Sequence, residues 1–165
     1  MENYKELLIK KERDTKQNLQ RVLVVVPVIA VGVVSFLTLS LILLAITVAL
    51  FVLAYFVFQW TDLEYEYLYL DKEITVDKIM SKTKRKKAGV IDVNKIEIIA
   101  PQNSHQLDSY KNREVKLTDY SAGKDLPEQK LYVLYYEGNQ KFLMNLDDEF
   151  IKIISNIIPR KVFTA

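Results

Sequence analysis

The chain has 165 residues, half of them hydrophobic, with a formal net charge of +2, one histidine and no cysteine. That length holds one ordinary domain and an appendage, and the missing thiols exclude disulfides, thiolate nucleophiles and thiolate metal ligands. With His105 alone, and no acidic run spaced like a calcium loop, no metal or other cofactor is expected; the even balance of acids and bases beyond Phe58 also argues against nucleic acid as a partner.

The first 17 residues form a basic arm carrying Lys5, Lys10, Lys11, Arg13 and Lys16. Tyr4, Leu7, Leu8 and Lys11 fall on one face at helical spacing, so residues 1–17 are expected to be a cytoplasmic basic arm, either a short interfacial helix or a frayed juxtamembrane start. From Val22 to Phe58 the only ionisable group is Tyr55. A helix through that tract would be about 55 Å long at ~1.5 Å per residue, against a bilayer core of about 30 Å. Two spans, about 18–35 and 39–60, account for the length, and the small and hydroxyl residues Gly32, Ser35, Thr38 and Ser40 either turn the chain there or let the two helices approach closely. The tract far exceeds the apolar core of a signal peptide.

Basic residues flank the tract on both sides, which predicts a multi-pass protein of the cell membrane with both termini cytoplasmic. Trp60, with Tyr55 and Tyr65, suits the headgroup-level aromatic belt.

Beyond Trp60 the period changes to two. Glu64–Leu70 alternates polar and apolar positions, Asp71-Lys72 can turn the chain, and Glu73–Ile79 alternates again with Ile74 and Val76 inward. Further strands are expected over Arg85–Ile91 and Lys95–Ala100, the latter ending at Pro101, which marks an edge or an exit. Arg113–Thr118 forms a short strand. Lys130–Tyr136 and Lys141–Asn145 make a hairpin across Gly138-Asn139, which supplies the positive φ of a tight turn.

The chain closes on a helix over 147–158. Asp147, Asp148 and Glu149 open it, Pro159 stops it, and its apolar stripe is Phe150, Ile153, Ile154, Ile157 and Ile158. Such a stripe belongs in a core.

Seven strands in mostly consecutive hairpins followed by one amphipathic helix is the element order of a pleckstrin-homology-like (PH-like) barrel. The fold class is therefore α+β: a two-helix transmembrane hairpin over 18–60, then a cytoplasmic PH-like barrel over 61–165 capped by its C-terminal helix.

The sequence also resembles an uncharacterised family of two-pass bacterial membrane proteins, of the clostridial type, with a C-terminal PH-like domain. The residues that carry the likeness are Leu63-Glu64-Tyr65-Glu66-Tyr67, Ile74-Thr75-Val76-Asp77-Lys78-Ile79, Lys84-Arg85-Lys86-Lys87, Ala100-Pro101 and Ser104-His105-Gln106-Leu107-Asp108-Ser109-Tyr110. The resemblance implies fold and topology and carries over no catalytic residues.

Two groups are candidate sites. Lys82, Lys84, Arg85, Lys86 and Lys87 form a cationic run beside the membrane tract, able to meet anionic headgroups or to discourage edge pairing. His105, Asp108 and Tyr110 share a polar loop, with a spacing that matches no catalytic template and reads more simply as a loop tied by its own side chains. The many strand tyrosines are ordinary strand formers rather than a stacking platform for nucleic acid. The expected function is therefore non-enzymatic: a membrane-anchored protein presenting a PH-like interaction module to an unidentified protein partner, along an exposed strand edge or beside the final helix. The alternative is a module responsive to anionic lipid through 82–87.

Overall fold

The computed structural model describes residues 4–164, which form two compact units. One contains the chain up to Glu12, Glu64–Ile79 and everything from Arg85 onward; the other is Arg13–Leu63 with Met80–Lys84.

The second unit is a pair of helices, α1 (Thr15–Thr38) and α2 (Leu41–Thr61), both long and apolar enough to cross a membrane. Asp14 starts α1 with a reciprocal cap: its carboxylate accepts from the Thr15 N–H at 2.7 Å, and its own N–H donates to Gln17 Oε1 at 3.3 Å. Leu39, left-handed at φ 49°, ends the helix. The break therefore falls at Leu39-Ser40, and Gly32 and Ser35 lie within α1 rather than in the turn. Gly32 faces the Thr47 methyl of α2, and Ser35 is buried.

The first unit contains a correction to the sequence reading. The basic arm is not helical over its described part: Lys5–Lys10 is a strand, β1, before α1 begins at Thr15. Its buried residues, Leu7 and Ile9, alternate with exposed Glu6, Leu8 and Lys10. β1 pairs antiparallel with β2 (Leu63–Leu70) from Lys5↔Tyr69 to Lys10↔Glu64. The β domain thus does not start at residue 61; its first strand precedes the helices. Met1, Glu2 and Asn3 of the expected arm lie outside the described residues.

β3 (Glu73–Met80) and β4 (Lys84–Asp92) complete a sheet of order β1-β2-β3-β4. The second sheet has the order β5-β7-β8-β6, from β5 (Ile96–Pro101), β6 (Lys116–Asp119), β7 (Lys130–Tyr136) and β8 (Gln140–Leu146). The described strands therefore number eight, one more than expected, and β6 runs parallel to β8 instead of forming a hairpin. Pro101 sits on an edge strand, as its missing N–H requires. In the β7–β8 turn the positive φ values belong to Glu137 and Gly138, one position earlier than the sequence implied.

α3 (Asp148–Ile157) is capped by Asp147, which accepts from the Phe150 N–H at 2.7 Å. Phe150, Ile151 and Ile154 are buried, and the Phe150 ring meets Tyr67 and Tyr69 edge-on. These residues join Ile9, Ile74, Val76, Ile91, Leu134 and Met144 in the main core. A smaller core on Ile98, Val133 and Tyr135 is closed by Leu107, Tyr110 and Phe163.

Polar residues stitch β1 to the loop after β6. Lys11 meets Asp119 at 3.0 Å, the Glu12 N–H donates to the Ala122 carbonyl at 3.0 Å, and Lys124 meets Glu12 at 2.5 Å. Buried Asn145 accepts from the Ala122 N–H and donates to the Lys124 carbonyl, while the Tyr67 hydroxyl donates to the Tyr120 carbonyl. Burial works to raise the Asp119 carboxyl but is outweighed by hydrogen bonds from the Ser121 hydroxyl, Lys11 and the Ser121 N–H, which hold it below the usual carboxylate range.

Two predictions follow from β1 and this junction. Ile9→Ala lowers the stability of the β domain by about 2–4 kcal/mol, read in the full chain as earlier chemical unfolding. Because the folded Asp119 carboxyl titrates below its unfolded value, its stabilisation is present above the unfolded pKa and lost as pH falls through the folded one. Unfolding midpoints of Asp119→Asn should therefore depend less on pH across that acidic window than those of the parent.

Candidate membrane-surface site

Helix α2 ends in a dense set of interactions. Arg21 of α1 donates through Nε to the Thr61 hydroxyl at 2.6 Å and through Nη2 to the Phe58 carbonyl at 3.3 Å, with its guanidinium 4.6 Å from the Phe58 ring centre. A cation at these last carbonyls compensates the negative end of the helix dipole. Arg13 reaches Asp62 at 3.3 Å. Trp60 and Tyr55 stay exposed on α2, where aromatic anchors are expected, and Phe56 lies against both. Tyr65 is not such an anchor. It is buried in the main core against Tyr120, because the alternation of β2 turns it inward.

The β3–β4 turn belongs to the same unit as the helices. The Ser81 N–H donates to the Asp62 carbonyl at 2.9 Å, one residue past the end of α2, and the Ser81 hydroxyl leans on the Gln59 carbonyl at 3.5 Å. Within the turn the Thr83 N–H donates to the Met80 carbonyl, and Ser81 and Lys82 are left-handed at φ 48° and 57°. Two consecutive positive φ values make a primed hairpin turn, which matches strand twist and ordinarily favours asparagine and glycine. Here a lysine occupies the tip.

The five cations of the sequence run are therefore not equivalent. Lys82 and Lys84 are exposed and belong with the helix end. Arg85 belongs to the β domain and is committed there, 2.6 Å from Glu66 and 3.9 Å from Asp77. Glu66 is buried, and burial raises its carboxyl above the ordinary value, helped by a hydrogen bond with Glu6 and opposed by Arg85. Lys86 and Lys87 stand exposed on β4, the terminal strand of its sheet.

The second candidate group separates. His105 and Asp108 share an exposed 3-10 turn over His105–Tyr110, 3.6 Å apart, and Lys111 holds Asp108 from the other side at 2.6 Å. Tyr110 instead packs on Tyr135 at 4.9 Å beneath the Arg113 guanidinium. The three do not converge on one point.

Of the edges that could receive a peptide, β5 is partly occupied by the chain's own tail. The Ile99 N–H donates to the Lys161 carbonyl and the Phe163 N–H to the Ile99 carbonyl, both at 2.8 Å. Lys84–Ala88 of β4 is exposed throughout.

The difference among the cations is measurable. Arg85→Gln leaves a buried carboxylate without its partner and lowers stability by about 1–2 kcal/mol, whereas Lys86→Gln and Lys87→Gln stay within about 0.5 kcal/mol of the parent. Unfolding curves of the three full-length variants provide the comparison.

A family model described as bacterial PH-like domain (DUF6106) matches residues 1–164. No curated protein and no solved structure matches the chain.

Proposed function

The chain belongs to this bacterial PH-like domain family, and from that premise we propose that it is a non-enzymatic, membrane-anchored protein whose PH-like module works at the cytoplasmic bilayer surface, with the β3–β4 turn against anionic headgroups. α1 and α2 are the anchor in this reading, and both termini are cytoplasmic. The observation that carries it is the hydrogen bond from Ser81 to the Asp62 carbonyl, which ties a lysine-bearing turn to the end of an apolar helix beside Trp60.

The energetics are consistent with that role. A lysine near an anionic leaflet contributes about 1 kcal/mol, and a left-handed non-glycine residue costs about 1–2 kcal/mol. Attraction to headgroups at Lys82 is thus similar in size to the conformational cost of placing a lysine there. General attraction of this kind requires no headgroup pocket.

A protein-adaptor role is the second reading, supported by the exposed edge of β4. Strand addition there would satisfy main-chain groups that the sheet leaves unpaired. Catalysis has less support, because His105, Asp108 and Tyr110 do not form a constellation.

The lipid reading is tested on the full chain reconstituted into phosphatidylcholine vesicles with or without phosphatidylserine. The parent has no cysteine, so Thr83→Cys accepts a single environment-sensitive fluorophore. Phosphatidylserine should shift its emission to the blue, and salt should reverse the shift. Lys82→Gly with Lys84→Gln should abolish the shift without loss of stability, since glycine suits the positive φ at position 82. Emission indifferent to lipid charge would refute the contact.

A further inference from the structure

The helical hairpin is inserted between two strands that lie side by side. β1 and β2 are adjacent in one sheet, yet α1 and α2 separate them in the chain. The pairing is not peripheral: Ile9 is fully buried in the main core with Tyr67 and Ile74, and Leu7 is nearly so. The stitching continues past the strand, through Lys11 to Asp119 and the Glu12 N–H to the Ala122 carbonyl. Its strand partner, β2, and the core residues that surround Leu7 and Ile9 all follow α2.

The connectors are short. Glu12 is fixed to the domain and α1 begins at Thr15, while α2 ends at Thr61 and β2 begins at Leu63. At ~3.5 Å per residue, those stretches reach about 10 Å and about 7 Å. A bilayer core is about 30 Å thick. Neither connector can carry its strand from one face to the other.

We infer that β1–β2 pairing makes completion of the PH-like domain conditional on both ends of the helical hairpin lying on one face of the membrane, so that the domain itself selects against a single crossing and its sheet stays open in a chain whose second helix has not returned. This rests on the reading of α1 and α2 as a membrane anchor. It goes beyond the positive-inside argument, because it links topology to the folding of a domain made mostly of residues on one side of the insertion. A chain that crosses once has β1 on the opposite face from β2. It leaves β2 without its neighbour and the main core without Leu7 and Ile9.

Two measurements on the full-length, cysteine-free chain in native membranes test this. First, single variants Lys10→Cys, Leu39→Cys and Lys152→Cys are labelled with a membrane-impermeant thiol reagent in sealed vesicles before and after opening; all three positions are exposed. Second, Glu6→Cys with Leu68→Cys, a directly paired position, is oxidised and scored for a disulfide within one chain.

The expected result is labelling of positions 10 and 152 from one face and of position 39 from the other, with an intrachain disulfide at 6 and 68. In chains that also carry Leu39→Lys and Ser40→Arg, which burden the turn with charges that resist translocation, the molecules whose positions 10 and 152 label from opposite faces should lack the disulfide and have residues 62–165 sensitive to protease together. Positions 10 and 152 on opposite faces with an intact disulfide, or membrane-held chains on one face without it, would overturn the inference. If carbonate washing releases the chain and all three positions label from one face, the anchor reading fails instead.

Discussion

Pairing between β1 and β2 is the constraint on which the rest of the β domain depends. It places a six-residue strand from before the helices beside one from after them, and it supplies Leu7 and Ile9 to a core otherwise built downstream. Closing so long a loop costs conformational entropy, but the cost grows only with the logarithm of loop length, and two helices packed together shorten the effective loop further. Buried apolar side chains and ladder hydrogen bonds repay it. The helices are thus an elaborated hairpin connection whose two ends must meet.

Much of this was legible in the sequence, and the failures share one cause. The apolar tract, the alternation from Glu64 to Ile79, the hairpin of β7 and β8 and the closing helix are local patterns, and the structure contains them within a few residues. The segment Lys5-Glu6-Leu7-Leu8-Ile9-Lys10 satisfies both periods: Tyr4, Leu7, Leu8 and Lys11 make a helical face, while Leu7 and Ile9 make a strand face. Six residues cannot separate them. The deciding partner, Tyr65-Glu66-Tyr67, lies on the far side of two helices. Tyr65 was misread for a related reason: proximity to Trp60 in the chain pointed to the headgroups, although the alternation of its own strand turned it into the core.

Charge was the least legible property. Lys82–Lys87 reads as one basic patch, but a tight turn and a strand divide it, and Glu66 neutralises Arg85 from β2, across the intervening β3. Glu66 itself looked like an ordinary polar position in an alternating strand. Burial makes its ionised form costly, so Arg85 serves the fold before it can serve a ligand. Asn145 gave no signal at all, since one amide near a strand end resembles a turn residue until the carbonyls and N–H group around it are placed.

The junction between β1 and the loop after β6 shows why the split domain needs polar as well as apolar closure. Apolar burial of Leu7 and Ile9 rejects a one-residue slip of β1, which would turn Glu6 and Lys10 inward, but a two-residue slip keeps the same face of the strand toward the core. Lys11 against Asp119, Glu12 against Lys124 and the Glu12 N–H on Ala122 distinguish the registers, because each requires a particular residue at a particular height. They lie at the end of β1 that is nearest to α1 in the chain. Asp14, which caps the first turn of α1, follows Glu12 by two residues. Register in the sheet and the start of the helix are therefore fixed by one short stretch of chain, in which hydrogen bonds and ion pairs supply the specificity that hydrophobic burial alone does not.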